Sequence, residues 1–312
     1  MSRRITIANH NQPTGTDGDH PDRLQPFMLE TSQLRGRMVR LNKAANTIIT
    51  YHDYPEPVAR LLGEALSLTA LLAGMLKFDG VFTFQVKGMG PVTMIVCDLT
   101  NAGHLRGYAS FDADMIAAAN LSEAPSLTEI CGEGGYLAFT VDQKNAADRY
   151  QGIVPLQGDT LSDAVRYYFQ QSEQIKTGFD VAVGQRNGVW HTSAIMLQEM
   201  PPEGGNSVTS EADVDDWRRA MMLLETASAA ELLDNNLPIN GMLYRLFHEE
   251  GVRVFDPLDI VPKCRCNRKK IAPIIEGLPY EEQLELAEKG KITVTCEFCN
   301  KHYHFPVEPP AN

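Results

Sequence analysis

Four of the six cysteines crowd one stretch near the C-terminus, as Cys264-Arg265-Cys266 and, after 29 intervening residues, Cys296-Glu297-Phe298-Cys299. Two close thiol pairs separated by a loop are the way a single chain supplies four soft ligands in a tetrahedron, the arrangement Zn²⁺ takes. The second pair sits where a metal knuckle belongs. Ile292 to Thr295 alternates as a strand, Cys296 to Lys301 reads as a tight turn, and His302 to Phe305 returns as the partner strand. The first pair is unusual, because Cys-x-Cys holds its thiols closer than the common Cys-x-x-Cys and points to chemistry beyond structure. His302 and His304 stand nearest the knuckle and remain open as ligands, although four thiolates already complete a tetrahedral site.

A formal net charge of −12 argues against general affinity for nucleic-acid phosphates. The basic run Lys263, Arg265, Arg268, Lys269 and Lys270 is read as compensation for a thiolate site of formal charge −2, since nearby cations lower thiol pKa values. No apolar leader follows Met1. The most hydrophobic stretch, Leu61 to Leu76, is interrupted by Glu64 and falls short of the ~18 to 20 residues of a membrane span, so it is expected as a buried core helix. These features place the chain in a reducing cytoplasm, where clustered cysteines are metal ligands or redox sensors.

Residues 1–22 are polar and expected to be a disordered tail. Residues 23–200 read as an α+β domain with antiparallel sheet: a helix from Pro57 to Lys77, a hairpin of Val81 to Lys87 and Pro91 to Leu99 around Gly88-Met89-Gly90, and strands His104 to Ser110, Tyr136 to Asp142 and Gln151 to Leu156. A helix from Thr160 to Ser172 follows, then a hairpin of Phe179 to Gln185 and Val189 to Leu197. The Pro-Gly-Ser run over 201–210 marks a boundary. Trp217 to Leu233 and Leu243 to Glu250 read as helices of a linker spanning 201–259. Between Glu211 and Glu250 nine acids face three bases, a net −6 that makes a segment of short helices marginal on its own. Residues 260–312 form the small cysteine-bearing domain. No enzyme motif emerges, and Gly132-Glu133-Gly134-Gly135 reads as a hairpin turn rather than a phosphate cradle. Cys97 and Cys131 read as buried small hydrophobes.

The cysteine motif, with Tyr51-His-Asp-Tyr-Pro-Glu-Pro-Val58, Leu61-Leu-Gly-Glu-Ala-Leu66, Leu76-Lys-Phe-Asp-Gly80, Leu105-Arg-Gly-Tyr108 and Tyr150-Gln-Gly-Ile-Val-Pro-Leu156, resembles the heat-shock protein 33 family of redox-regulated bacterial chaperones. The likeness runs from about Leu29 to Phe305, and the polar N-terminus lies outside it. It implies a non-enzymatic holdase with an N-terminal substrate-binding domain, a metastable helical linker and a zinc-binding redox-switch domain. By that resemblance Cys264, Cys266, Cys296 and Cys299 hold one Zn²⁺ per chain in an inactive reduced form. The same resemblance implies that oxidation gives disulfides Cys264–Cys266 and Cys296–Cys299, releases zinc and unfolds the linker. The protein then binds unfolded clients and forms a homodimer.

Elementary energetics agrees with such a switch. A structural zinc supplies on the order of 10 to 16 kcal/mol in small peptides, more than a domain of roughly 50 residues gains from its own core. Trp217, Met221, Met222, Leu224 and Phe247 are the linker residues expected to be buried in the inactive state and offered to clients in the active one. Two other functions stay open. A zinc-ribbon nucleic-acid module would use Lys263 to Lys270 and Tyr303, and a thiol oxidoreductase would use the same cysteine pairs catalytically.

Overall fold

The computed structural model describes residues 5–6, 22–122, 124–144, 150–200 and 211–307. The expected disordered tail, apart from Ile5, Thr6 and Asp22, and the 201–210 boundary lie outside the described residues.

Strands β1 (Ile5–Thr6), β2 (Arg23–Leu29) and β3 (Leu34–Leu41) precede helices α1 (Lys43–Ile49) and α2 (Glu56–Ala73). Asp22 closes the start of α1, its carboxylate accepting from the backbone N–H groups of Asn42, Lys43 and Ala44. Pro57 in the first turn of α2 costs no hydrogen bond there. The next strands are β4 (Gly80–Lys87), β5 (Val92–Thr100) and β6 (His104–Phe111). Short helices α3 (Ala113–Ala118) and α4 (Leu127–Cys131) separate them from β7 (Tyr136–Gln143) and β8 (Tyr150–Pro155). Then come α5 (Leu161–Tyr168), which widens into a π-helical turn at Phe169–Glu173, and the hairpin β9 (Thr177–Arg186) with β10 (Val189–Gln198).

One sheet has the order β1-β11-β2-β3-β10-β9, where β11 is Val252–Val254, and β12 (Leu258–Asp259) also pairs with β2. The other has the order β13-β6-β5-β4-β7-β8, where β13 is Val261–Pro262. All pairings are antiparallel except β13 with β6. Helix α2 lies between the two sheets, touching β3, β9 and β10 on one side and β4, β5 and β6 on the other. That explains its burial almost all round, because a helix covered on both sides needs no polar face. Strand β10 is likewise covered on both faces. Ala194 and Met196 join the core around α2, whereas Ile195 and Leu197 face a second cluster outside the sheet.

That second cluster is made by α6 (Glu211–Leu224), α7 (Ala229–Leu232) and α8 (Ile239–Phe247), laid over Phe27, Leu29, Met38, Ile195 and Leu197. Phe247 stacks on Phe27 at 6.0 Å and 24°. Trp217, Met221 and Leu224 also face the sheet, and a Cβ at Gly178 would collide with the Met221 thioether. Met222 does not belong with them. It points to solvent, 62% exposed, because the α6 face that meets the sheet carries Trp217, Ala220, Met221 and Leu224 and leaves Met222 on the opposite side.

Other expectations are corrected by tertiary context. The helix read across Trp217 to Leu233 breaks after Leu224, and α7 restarts at a capping box of Ser228 and Glu231. The second helix begins at Ile239 and ends at Phe247, with His248–Glu250 a 3₁₀ turn. Beyond Glu250, where the segment taken as linker runs on to 259 with no element read in it, Val252–Val254 and Leu258–Asp259 are strands that complete the edge of β2. Gly132 is no hairpin turn. It ends α4 with φ 74°, and the Cys131 carbonyl accepts from the N–H groups of Met89 and Gly90 in the β4–β5 turn.

The C-terminal unit comprises α9 (Arg268–Glu276), α10 (Tyr280–Leu286) and the hairpin β14 (Lys291–Thr295) with β15 (His302–Pro306). Its apolar centre is small: Ile275, Ile292, Tyr303 and Phe305, with a few half-buried neighbours. The whole is an α+β fold, as the residue pattern indicates.

Candidate metal centre

Cys264 and Cys266 leave the sheet just after β13, and Cys296 and Cys299 occupy the turn between β14 and β15. The β14–β15 register pairs Ile292 with Phe305 and Val294 with Tyr303, which puts their side chains on the inner face and aims the turn at the first cysteine pair. Cys264 Sγ lies 3.6 Å from Cys296 Sγ, and Cys266 Sγ lies 3.5 Å from Cys299 Sγ. All four sulfurs fall within 4.8 Å of one another. Zn–S bonds of 2.3 Å in a regular tetrahedron require S···S edges of about 3.8 Å, so the spacing fits one Zn²⁺.

The surroundings suit thiolates. The N–H groups of Phe298 and Cys299 donate to Cys296 Sγ, and that of Lys301 to Cys299 Sγ. The turn closes through Asn300, in the left-handed region at φ 54°, whose N–H reaches the Cys296 carbonyl at 2.8 Å. Tyr303 Oη donates to Cys266 Sγ at 3.2 Å. Burial opposes ionisation of Cys266, yet the Tyr303 bond and those from the other thiols bring it down to about 7. Burial, together with hydrogen bonding to Cys266 and Cys264, pushes Cys296 and Cys299 up. Four thiolates this close ionise together only around a cation, so the donor set asks for a metal ion.

His302 and His304 are not part of the group. Their Nδ1 atoms meet Thr295 Oγ1 at 2.8 Å and Thr293 Oγ1 at 3.0 Å on the exposed face of the hairpin. Among the described residues only the four cysteines cluster as metal ligands. Cys97 and Cys131 are fully buried elsewhere, and burial pushes the Cys131 thiol up to about 12.

The residues between the paired cysteines tie this centre to β4, β5 and β6, a role the sequence reading missed. Arg265, inside Cys-x-Cys, meets the Asp98 carboxylate at 2.5 Å. Asp98 is 3% exposed and also accepts from Arg106 Nε at 2.7 Å and Thr83 Oγ1 at 2.7 Å. Phe298, inside Cys-x-x-Cys, is covered by the Arg106 guanidinium at 3.7 Å and meets the Tyr108 ring edge-on at 4.8 Å. His52 Nε2 reaches the Glu297 carbonyl at 2.8 Å. Burial raises the Tyr51 hydroxyl pKa, and the charges of Cys299, Cys264 and Cys266 add to the rise, as expected of a ring beside the sulfurs. The strings Tyr51 to Val58 and Leu105 to Tyr108 thus converge on the knuckle. Arg268, by contrast, packs over the Phe305 ring at 4.4 Å and donates to the His304 carbonyl.

A family model described as Hsp33 protein matches residues 22–306. The chain belongs to the Hsp33 chaperone family. Curated Hsp33 relatives carry the name 33 kDa chaperonin. That of Caulobacter vibrioides is 39% identical over 298 residues, covering 93% of this chain and 96% of that protein. That of Escherichia coli K12 is 36% identical over 285 residues, covering 91% and 92%. The crystal structure of the Thermotoga maritima Hsp33 homologue superposes with a TM-score of 0.73 at 22% identity, over 92% of this chain and 95% of that one, and shares the fold. No helix among the described residues is long and apolar enough to cross a membrane.

Proposed function

We propose that this Hsp33 chain is a redox-regulated holdase whose cysteine centre, loaded with one Zn²⁺, keeps α6 to α8 folded over the first sheet. The observation that carries the reading is the continuity from thiols to linker. Arg265 and Phe298 brace the centre against β5 and β6, and the chain between centre and linker runs through β11, β12 and β13 in both sheets. When bound, zinc supplies the cross-link that holds the two cysteine pairs together. The protein's own residues do the rest. Tyr303 and the knuckle N–H groups favour thiolates, which are the forms that attack an oxidant. Two equivalents of peroxide, with four protons from solvent, would oxidise four thiolates to two disulfides and leave four waters, and the ligands would be gone. The pairings carried over from the resemblance, Cys264–Cys266 and Cys296–Cys299, close such short loops that they recover little of the lost stability.

Once the centre loosens, the buried faces of Trp217, Met221, Leu224 and Phe247 open to non-native clients, and Met-bearing surfaces adapt to many of them. Domains 23–200, 201–259 and 260–312 are the substrate-binding, linker and switch units of this reading. The oxidised form is a homodimer, and the setting is a reducing cytoplasm. The nucleic-acid alternative is disfavoured because Tyr303 is 8% exposed and bonded to Cys266, and Arg265 is spent on Asp98. An oxidoreductase is disfavoured because Cys296 and Cys299 sit in a hairpin turn rather than at a helix start.

The test measures zinc, free thiols and suppression of aggregation of a chemically unfolded client, before and after peroxide at raised temperature. One zinc and four thiols lost while suppression appears would support the switch. Zinc retained with suppression unchanged would sink it. Replacing Cys296 and Cys299 by Ser should make suppression largely independent of peroxide, and mass mapping of the oxidised chain checks the disulfide pairs.

A further inference from the structure

Strand β8 ends the second sheet, and among the described residues no strand pairs with its outer side. Its register with β7 is in phase with the bond from Leu156 N–H to the Gly135 carbonyl. By the alternation of antiparallel ladders, Val154, Gly152 and Tyr150 therefore bond inward to β7, and Ile153 and Gln151 turn their N–H and C=O groups outward. Natural sheets guard such edges with charged side chains or proline. The free edge strand of the first sheet, β9, carries Asp180 and Arg186, whereas Tyr150-Gln-Gly-Ile-Val-Pro155 has no charge at all and only Pro155 at its end.

Both faces of this edge reach solvent and carry large apolar groups, with Gln151 beside Ile153 on the outer face and the Tyr150 hydroxyl bonded to Tyr168 Oη at 2.8 Å and to Glu173 at 3.2 Å on the inner one. On the outer face Ile153 is 59% exposed, and Tyr136, opposite Pro155 on β7, is 38% exposed. On the inner face Tyr150, 54% exposed, ends a row that runs through Val141 to Phe82 along the floor of a cavity of about 270 Å³. A strand added beside β8 meets Ile153 and Tyr136 on one side and the Tyr150 ring on the other. That is the environment of a continuously apolar extended segment rather than an amphipathic one.

We propose that the outer edge of β8 is a docking strand for extended, continuously apolar segments of non-native polypeptide, bound by backbone pairing to Gln151 and Ile153 and by contact with Tyr150, Ile153 and Tyr136. The inference rests on the holdase reading for its partner and adds a place on the N-terminal domain where clients are held. Val154 of β8 packs in the core around α2 whereas α6 to α8 pack in the second cluster, so among the described residues no strand covers the edge while the linker is docked. It is a constant, weak subsite. Two outward residues offer few backbone bonds, so a single segment binds loosely until the linker adds a second attachment to the same client.

The reduced protein tests this directly, with a fluorescein-labelled acetyl-Lys-Val-Phe-Ile-Val-Phe-amide as probe. Anisotropy should show saturable binding, weakened at least tenfold in Ile153→Lys and in Tyr150→Ser, both at exposed side chains and both checked for an unchanged melting curve. Hydrogen exchange should show Gln151 and Ile153 amides slowed by the peptide. Equal binding by the variants, or no slowing of those two amides, overturns the proposal. So does a concentration-dependent dimer that already protects them, since the edge would then belong to a second copy of the chain. The outcome is separable from the holdase reading, which stands or falls on aggregation suppression after oxidation.

Discussion

At the scale of single residues, environment sets the four clustered cysteines apart from the two buried ones. Burial holds Cys97 and Cys131 as neutral thiols well above neutral pH, Cys131 at about 12, while the Tyr303 bond favours the Cys266 thiolate. Peroxide should therefore consume four thiols and leave two, and alkylation with mass mapping should find the survivors at Cys97 and Cys131. Modification of either before Cys266 would contradict the assignment. Glu64 offers a test through pH. Its carboxyl is packed beneath the start of α5, and burial raises its pKa above the usual 4.5 despite hydrogen bonds from Ser162 N–H at 2.9 Å and Ser162 Oγ at 3.0 Å. A raised folded-state pKa means the native form prefers the proton. The stability it contributes is present below pH 4.5 and lost as pH rises through the folded value. Glu64→Gln should therefore gain melting temperature over the parent progressively as pH rises above about 4.5. A gap that stays constant with pH would show that Glu64 does not titrate as described.

At the scale of elements, α6 to α8 are fastened by one apolar face and a few polar ties. The firmest tie is Arg219 to Glu250, at 2.5 Å from Nε and 3.2 Å from Nη2, with the Glu250 side chain 3% exposed. Arg219→Ala leaves a buried carboxylate unpaired and should cost about 2 kcal/mol, discounted because the arginine itself is half exposed. The expected result is faster proteolysis within α6 to α8 and activation at lower temperature or with less peroxide. Unchanged cleavage would mean that the apolar face alone sets the stability of α6 to α8. The helix limits were only partly legible. The Ser228-x-x-Glu231 box was overlooked when one helix was read from Trp217 to Leu233, and Val252–Val254 and Leu258–Asp259 are too short to announce themselves and become strands because β2 presents an edge to them.

At the scale of the whole molecule, the residues that make the four-cysteine centre distinctive also anchor it. Phe298 gives up an edge-on ring contact and a guanidinium contact when cut to alanine, together about 2 kcal/mol. Phe298→Ala should keep the four thiols and one zinc per chain but loosen the hairpin from β6. Hydrogen exchange would quicken at Arg106 and Tyr108, and the threshold for aggregation suppression would drop. Loss of zinc in this variant would show that the ring supports the centre itself rather than its docking. The cysteine spacing, the strand–turn–strand of the knuckle and the core character of α2 were determined by sequence alone, because each depends on residues a few positions apart. Only the tertiary structure decided that Tyr51, His52, Asp98, Arg106 and Tyr108 form the seat of the knuckle, that Met222 faces water, and that the chain after Glu250 rejoins both sheets. Those outcomes depend on partners from 8 to 245 positions away, such as Arg106 with Asp98 and His52 with Glu297, and no local pattern encodes which distant surface a residue will meet.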